Sequence, residues 1–195
     1  MKRRAAAHLA RLGMLASAAL VLAVLENLVP RPLPWMKLGL GNLAVLLALL
    51  LYGGRAALAV SLVKLLVGSL ITGSLAGPAF TIAGGAGLAS LGSMCLVWRA
   101  APRLFSPVGL SILGAVVHQL AQLLLAFLYI RQAGLWGFLP LALATGLISG
   151  ALIGLMAHWT RRQLRAGGWP EAQDRAAGRA RPRPRSRVAR TGSSG

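Results

Sequence analysis

Acidic residues are nearly absent from this chain. Of 195 residues only three are Asp or Glu; Glu26 is the one acid before position 171, and no aspartate occurs before 174. An aspartate-rich motif that would hold a diphosphate through metal ions is therefore excluded, and no Gly-rich loop ending in Lys-Ser or Lys-Thr exists to cradle nucleotide phosphates. The serines lack the acid and histidine arrangement that would make one a nucleophile. No catalytic residues and no cofactor are expected. Cysteine is equally scarce: the single Cys95 sits in an apolar run, where it reads as a small buried hydrophobe, and it permits neither an intrachain disulfide nor a thiol-based metal site. Charge as a whole is sparse at 12%, half of what an average soluble domain carries (about 25%).

What is present is apolar. Hydrophobic residues make up 56% and the mean hydropathy is +0.69, an integral membrane composition. Runs of about 20 residues cross a hydrocarbon core of ~30 Å as helix. Six candidate spans follow at 12–29, 37–52, 55–73, 78–97, 107–130 and 135–158. The first has basic residues ahead of it, as a secretory signal does, but the spans that follow it make it a retained helix. The second is short and glycine-flanked, and Gly84, Gly85 and Gly87 interrupt the fourth, so both have room to bend or tilt. The fold class expected is all-α, an integral membrane bundle of six transmembrane helices over 12–158, between a basic N-terminus (1–11) and a disordered basic tail (159–195).

The net charge of +18 concentrates in short loops and at the two ends, so it speaks of topology and not of nucleic acid, which is not expected as a partner. One side of a six-span arrangement carries Lys2, Arg3, Arg4, Arg11, Arg55, Arg99, Arg103, Arg161, Arg162 and Arg165; the other carries Arg31, Lys37 and Arg131. The positive-inside rule then puts both termini of this multi-pass protein in the cytoplasm, with the chain in the cell membrane. The tail, with RPRPRSR at 181–187, has too much proline and like charge for a core and is expected against anionic lipid headgroups. Trp35, Trp98 and Trp136 read as interfacial anchors.

Ionisable and amide side chains are costly in a bilayer and face the bundle interior, a cavity or a partner. The stretch 25–52, LENLVPRPLPWMKLGLGNLAVLLALLLY, begins with Glu26 and Asn27, breaks at Pro30, Pro32 and Pro34, and re-enters the membrane with Asn42. At ~1.5 Å per residue, Glu26, Asn27 and Asn42 lie near the outer surface, Lys64 roughly 13 Å and His118 roughly 18 Å from the inner one. Ser61, Lys64 and Gly68 share one face of the third span; Gly114, His118 and Gln122 share one face of the fifth. Facing each other, they would suit an anionic or strongly hydrogen-bonding small molecule. The bland alternative is that Glu26 and Lys64 neutralise each other while the His and Gln side chains satisfy neighbouring helices. The candidate substrate-binding set is Glu26, Asn27, Asn42, Lys64, His118 and Gln122, with no metal site. Ala19 and Ala23, four apart, make a surface on which another helix can dock. Gly146, Gly150 and Gly154 do the same in the last span, within the chain or toward a partner.

Glu26-Asn27 followed by PRPLPWMKLGLGNLAVLLALLLYG, with LVKLLVGSLITG at 62–73, GPAFTIAGG at 77–85 and LGAVVHQLAQLLLA at 113–126, resembles the Gx transporter family, also labelled heptaprenyl diphosphate synthase component I. The resemblance covers about 12–158. That family is similar to the substrate-binding S components of energy-coupling factor transporters. It implies a six-helix S-component-like bundle that takes a small molecule from outside, with Ala19 and Ala23 contacting a transmembrane coupling subunit, 30–36 acting as gate, and separate ATPase subunits supplying energy. The alternative is a non-catalytic membrane subunit associated with isoprenoid (heptaprenyl diphosphate) synthesis.

Overall fold

The computed structural model describes residues 2–28, 39–101 and 105–169, with side chains described from residue 6 onward and, in the first stretch, up to Glu26. The expectations for the gate at 30–36, for Arg31, Trp35, Lys37 and Arg103, and for the tail from 170 lie outside the described residues. Among those described, all regular structure is helical: α1 (Lys2–Leu28), α2 (Leu40–Tyr52), α3 (Gly54–Ile71), α4 (Pro78–Ala100), α5 (Pro107–Ile130), a 3-10 turn (Ala133–Phe138) and α6 (Leu139–Ala166). Five of these helices are long and apolar enough to cross a membrane; α2, with 13 residues, is shorter. At ~1.5 Å per residue α2 measures about 20 Å, less than a hydrocarbon core.

The chain's turn chemistry sets these limits. α2 starts after Gly39 (φ +75°) and runs into α3 through the single residue Gly53 (φ +88°, ψ 179°), a conformation open only to glycine. Gly53 closes α2 by donating its N–H to the Leu49 carbonyl (2.9 Å), and its own carbonyl accepts from Ala57 in the first turn of α3 (3.1 Å). α4 and α5 both begin with proline at the first helical position, where the missing N–H is no loss. Ser106 completes the start of α5 by accepting from the Gly109 N–H at 3.1 Å.

α4 is one continuous helix through Gly84, Gly85 and Gly87. A Cβ at Gly84 would come within 3.0 Å of Leu65 in α3, and one at Gly85 within 2.6 Å of Leu125 in α5. These glycines receive the neighbours' leucine tips, so they serve packing and leave the hydrogen-bond ladder intact. α6 likewise runs to Ala166, past the end expected at 158, because no helix breaker precedes Gly167 and Gly168.

Helices pack as two groups of three, α1 with α2 and α3, and α4 through α6, joined where α2 meets α6 and α3 meets α4. Leu43 to Leu51 of α2 are all buried, so this short, apolar helix is enclosed by protein on every side. α6 approaches α5 along its glycine stripe: Cβ atoms at Gly146, Gly150 and Gly154 would meet Gln119 Cγ at 3.1 Å, Ile112 Cα at 2.8 Å and Val108 Cα at 2.6 Å. The stripe is thus used inside the chain. Past α6, Trp169 turns back onto Tyr52 of α2 (ring centroids 6.3 Å apart) and under the Arg11 guanidinium of α1 (5.3 Å), tying the two groups together at that end.

Candidate functional site

A cavity of about 400 Å³ lies between the two groups of helices, and all six α-helices contribute to its wall. Its size falls within the ~300–1,000 Å³ usual for small-molecule sites. It reaches from the end where α1 stops and α2 starts, at Glu26, Gly39 and Ser74, to Met94, Ser111 and Ile153 deep in the bundle.

Glu26 builds the near end. Only 5% exposed, it accepts the Gly39 N–H at one carboxylate oxygen (2.6 Å) and the Leu40 N–H at the other (3.0 Å). The start of α2 has no side-chain cap of its own, so the carboxylate of a different helix takes two of its orphaned N–H groups. Negative charge at the positive end of α2 makes these charge-assisted bonds. The one acid of the apolar region thereby holds α2 at its short start, beside the cavity.

Lys64 stands one layer deeper. Its ammonium donates to Asn42 Oδ1 at 2.5 Å, linking α3 to α2 across the cavity wall. Gly41 makes the approach possible: a Cβ there would lie 2.9 Å from the Ala19 carbonyl oxygen, 3.1 Å from Ala23 Cβ and 3.1 Å from Lys64 Cδ. Three helices therefore converge on one glycine, and the lysine stem lies across it.

The other side brings an imidazole and carboxamides. His118 and Gln122 of α5 line the cavity with Gln119, which is 8% exposed and donates through Nε2 to Thr145 Oγ1 of α6 (3.2 Å). Thr145 donates its own hydroxyl hydrogen bond to the Ala142 carbonyl (3.0 Å), so its oxygen is left to accept from the Gln119 amide. Ser90 Oγ donates to the Gly114 carbonyl at 2.7 Å, a buried link between α4 and α5. Ser111 and Ser149 add hydroxyls here, and Ser61 and Ser69 of α3 add theirs on the Lys64 side. One ammonium, one imidazole, carboxamides and hydroxyls make up hydrogen-bonding chemistry suited to recognition. Among the described residues no three His, Cys, Asp or Glu side chains come together.

Of the residues expected from sequence to bind substrate, Glu26, Asn42, Lys64, His118 and Gln122 all line this cavity. Asn27 lies in the last turn of α1, its side chain outside the described residues. Ala19 and Ala23 lie at a helix contact within the chain. Ala19 is wholly enclosed and both alanines lie against Gly41 of α2, because small residues there admit the nearest backbone, and that backbone belongs to the same chain. Gln119 and the serines were not in the expected set. Ser61 sits one turn from Lys64 and Gln119 sits between two expected residues, but small hydroxyls are common in apolar helices and carry little signal alone.

A family model described as heptaprenyl diphosphate synthase component I matches residues 15–160, about three quarters of the chain. The chain belongs to this family. Comparison with curated proteins and with solved structures returns no match. As a heptaprenyl diphosphate synthase component I family member, the chain carries its whole cavity, from Ala23 to Ile153, inside the matched region.

Proposed function

We propose that this family member is a substrate-binding membrane subunit, S-component-like, for uptake of a small molecule, energised by separate coupling and ATPase subunits. The observation that supports it is the cavity between the two helix groups, where Lys64, held by Asn42, faces the side that carries His118 and Gln122. Glu26, Asn27, Asn42, Lys64, His118 and Gln122 are the proposed substrate contacts, with Glu26 also capping α2. Basic residues support an orientation with both termini in the cytoplasm of a cell-membrane protein. Arg11, Arg55, Arg99, Arg161, Arg162 and Arg165 all lie toward one end of the bundle and Arg131 toward the other. In that orientation the Glu26 end of the cavity opens outward. Ala19 and Ala23 serve a coupling subunit in this reading only where α1 parts from α2 at Gly41.

Mass spectrometry of the mildly solubilised protein tests the reading. A small molecule is expected to be retained by the native chain, released on denaturation, and lost in Lys64→Ala. No released molecule, together with uptake that survives Lys64→Ala, overturns it. The family's printed name favours a second reading, a non-catalytic membrane subunit associated with heptaprenyl diphosphate synthesis. Affinity purification separates the two: coupling and ATPase subunits accompany the chain in the first, a soluble prenyltransferase in the second.

A further inference from the structure

The wall of the central cavity is not closed between α3 and α4. These two helices run antiparallel and meet at two glycines: a Cβ at Gly84 of α4 would lie 3.0 Å from Leu65 of α3, and a Cβ at Gly54 of α3 would lie 2.9 Å from Cys95 of α4. Gly54 and Leu65 are eleven residues apart, as are Gly84 and Cys95, so the stretch between the contacts measures about 16 Å along each helix. Within that stretch the cavity is lined by Ser61 and Leu62 on one helix and by Gly87 and Leu88 on the other. Leu62 and Leu88 also belong to the outer surface, 39% and 48% exposed. Leu58 and Leu66, one turn to either side of Leu62, share its exposed face, and neither lines the cavity. That face looks outward, and Leu62 stands at the edge where the cavity reaches it. A Cβ at Gly87 would meet no neighbouring group within 4 Å, so the space beside Leu88 is open.

Both helices are long and apolar enough to cross a membrane, and Leu62 and Leu88 sit near the middle of each. An opening at that level faces lipid chains and not water. A polar group placed in it would lose its hydrogen bonds to hydrocarbon, whereas an apolar chain would keep its surroundings and gain contacts with the leucines. Polar chemistry lies elsewhere in the same cavity. Lys64, bonded to Asn42, is one turn outward of Ser61, and Gln122 comes from α5 on the other side. A polar chamber with an apolar exit matches a ligand with two different halves.

We propose that the cavity takes an amphiphile from the membrane, its hydrogen-bonding head group among the polar side chains around Lys64 and Gln122 and its single apolar chain leaving between Leu62 and Leu88. The proposal rests on the reading of this cavity as the substrate site, and it narrows the small molecule to an apolar-chained class that enters sideways.

The test uses the full chain in nanodiscs and two glycines of α4 that both have open space at their Cβ positions. Gly87→Leu fills the exit; Gly92→Leu adds the same side chain to the same helix away from the cavity. The probes are hexadecanoic acid and hexadecanol with a mid-chain diazirine, and a diazirine-bearing pentanoic acid that has the head without the long chain. Labelled positions are read by mass spectrometry, with Leu66 and Leu96, exposed and off the cavity, reporting the non-saturable labelling of any lipid-facing residue. Saturable labelling at Met94 or Ile153 inside the cavity by a long-chain probe, at least about tenfold lower in Gly87→Leu and unchanged in Gly92→Leu, supports the proposal. The acid and the alcohol distinguish an anionic head from a neutral one. Labelling of the cavity by the pentanoic acid alone overturns the amphiphile and leaves the substrate-cavity reading standing. No saturable labelling there by either long-chain probe, or an equal response of the two variants, also overturns it, and the molecule released from the native chain on denaturation then decides the substrate-cavity reading by itself. Should Gly87→Leu fail to fold, Leu62→Trp places bulk at the rim, with Leu66→Trp as its control: the same tenfold difference supports the exit, and equal labelling overturns it.

Discussion

The helices α1–α3 and α4–α6 meet at the same cavity with different chemistry. The first group brings its charges, Glu26 and Lys64, with Asn42 between them. The second brings imidazole, carboxamide and hydroxyl groups from His118, Gln119, Gln122, Ser111 and Ser149. Construction differs as well. In the first group a carboxylate and an ammonium tie one helix to the next, at Glu26 to α2 and at Lys64 to Asn42. In the second, glycine lets α6 lie almost on the α5 backbone, with Gly154 at Val108 Cα. The comparison teaches that the α1–α3 wall is held by bonds from ionisable side chains, while the α4–α6 wall is held by glycine contacts together with the bonds of Gln119 and Ser90.

The largest effect that separates the two modes is expected at Gly154→Leu. Its Cβ would have to occupy space 2.6 Å from Val108 Cα, which is backbone and cannot yield as a side-chain tip would. A loss of about 3 kcal/mol, read as a lowered unfolding midpoint in detergent, is expected; an unchanged midpoint breaks the close-packing account of α4–α6. Next comes Glu26→Ala, which leaves two N–H groups of α2 without their carboxylate and should lower stability by about 2 kcal/mol. Glu26→Gln keeps an acceptor and should lose roughly half as much. Equal losses in the two would mean that volume, not capping, is what Glu26 provides.

Lys64→Ala should weaken ligand retention about tenfold or more, one charged hydrogen bond's worth. Its effect on stability should be smaller than that of Glu26→Ala. If stability falls and retention does not, Lys64 belongs to the scaffold and the division between wall and scaffold has to be redrawn. The smallest effect is expected at Gln119→Leu, which breaks the bond to Thr145 between α5 and α6. About 0.6 kcal/mol is typical of such interhelical bonds in membranes, and a double-mutant cycle with Thr145→Val measures it. A much larger value would make the α4–α6 wall depend chiefly on polar bonds.

Much of this molecule is legible in the chain. Apolar run lengths locate all six helices, although α1 starts ten residues before the expected 12 and α6 ends eight after the expected 158. The cost of polar groups in hydrocarbon singles out Glu26, Asn42, Lys64, His118 and Gln122, all of which line one cavity. Less legible is what each does. Glu26 reads as a partner for Lys64 or for substrate, and its added role at the start of α2 is hidden because Gly39 and Leu40, which donate to it, are 13 and 14 residues away in sequence. Ala19 and Ala23 announce a close helix contact without naming the helix. α2 is apolar all round, and periodicity cannot tell such a helix facing lipid from one enclosed by protein.

By itself the sequence determined an all-helical membrane bundle, the charge bias between its ends and the small set of side chains that hydrocarbon would not tolerate unpartnered. These follow from local properties, namely length at a fixed rise per residue and the transfer cost of each side chain. Tertiary structure alone decided that α2 is the enclosed helix, that Gly41 admits Ala19, Ala23 and Lys64 together, and that Gly84 and Gly85 take up leucines of α3 and α5. Such choices depend on which helix becomes whose neighbour. Every small-residue face accepts any backbone of suitable shape, so only the packing of all six helices at once selects among them.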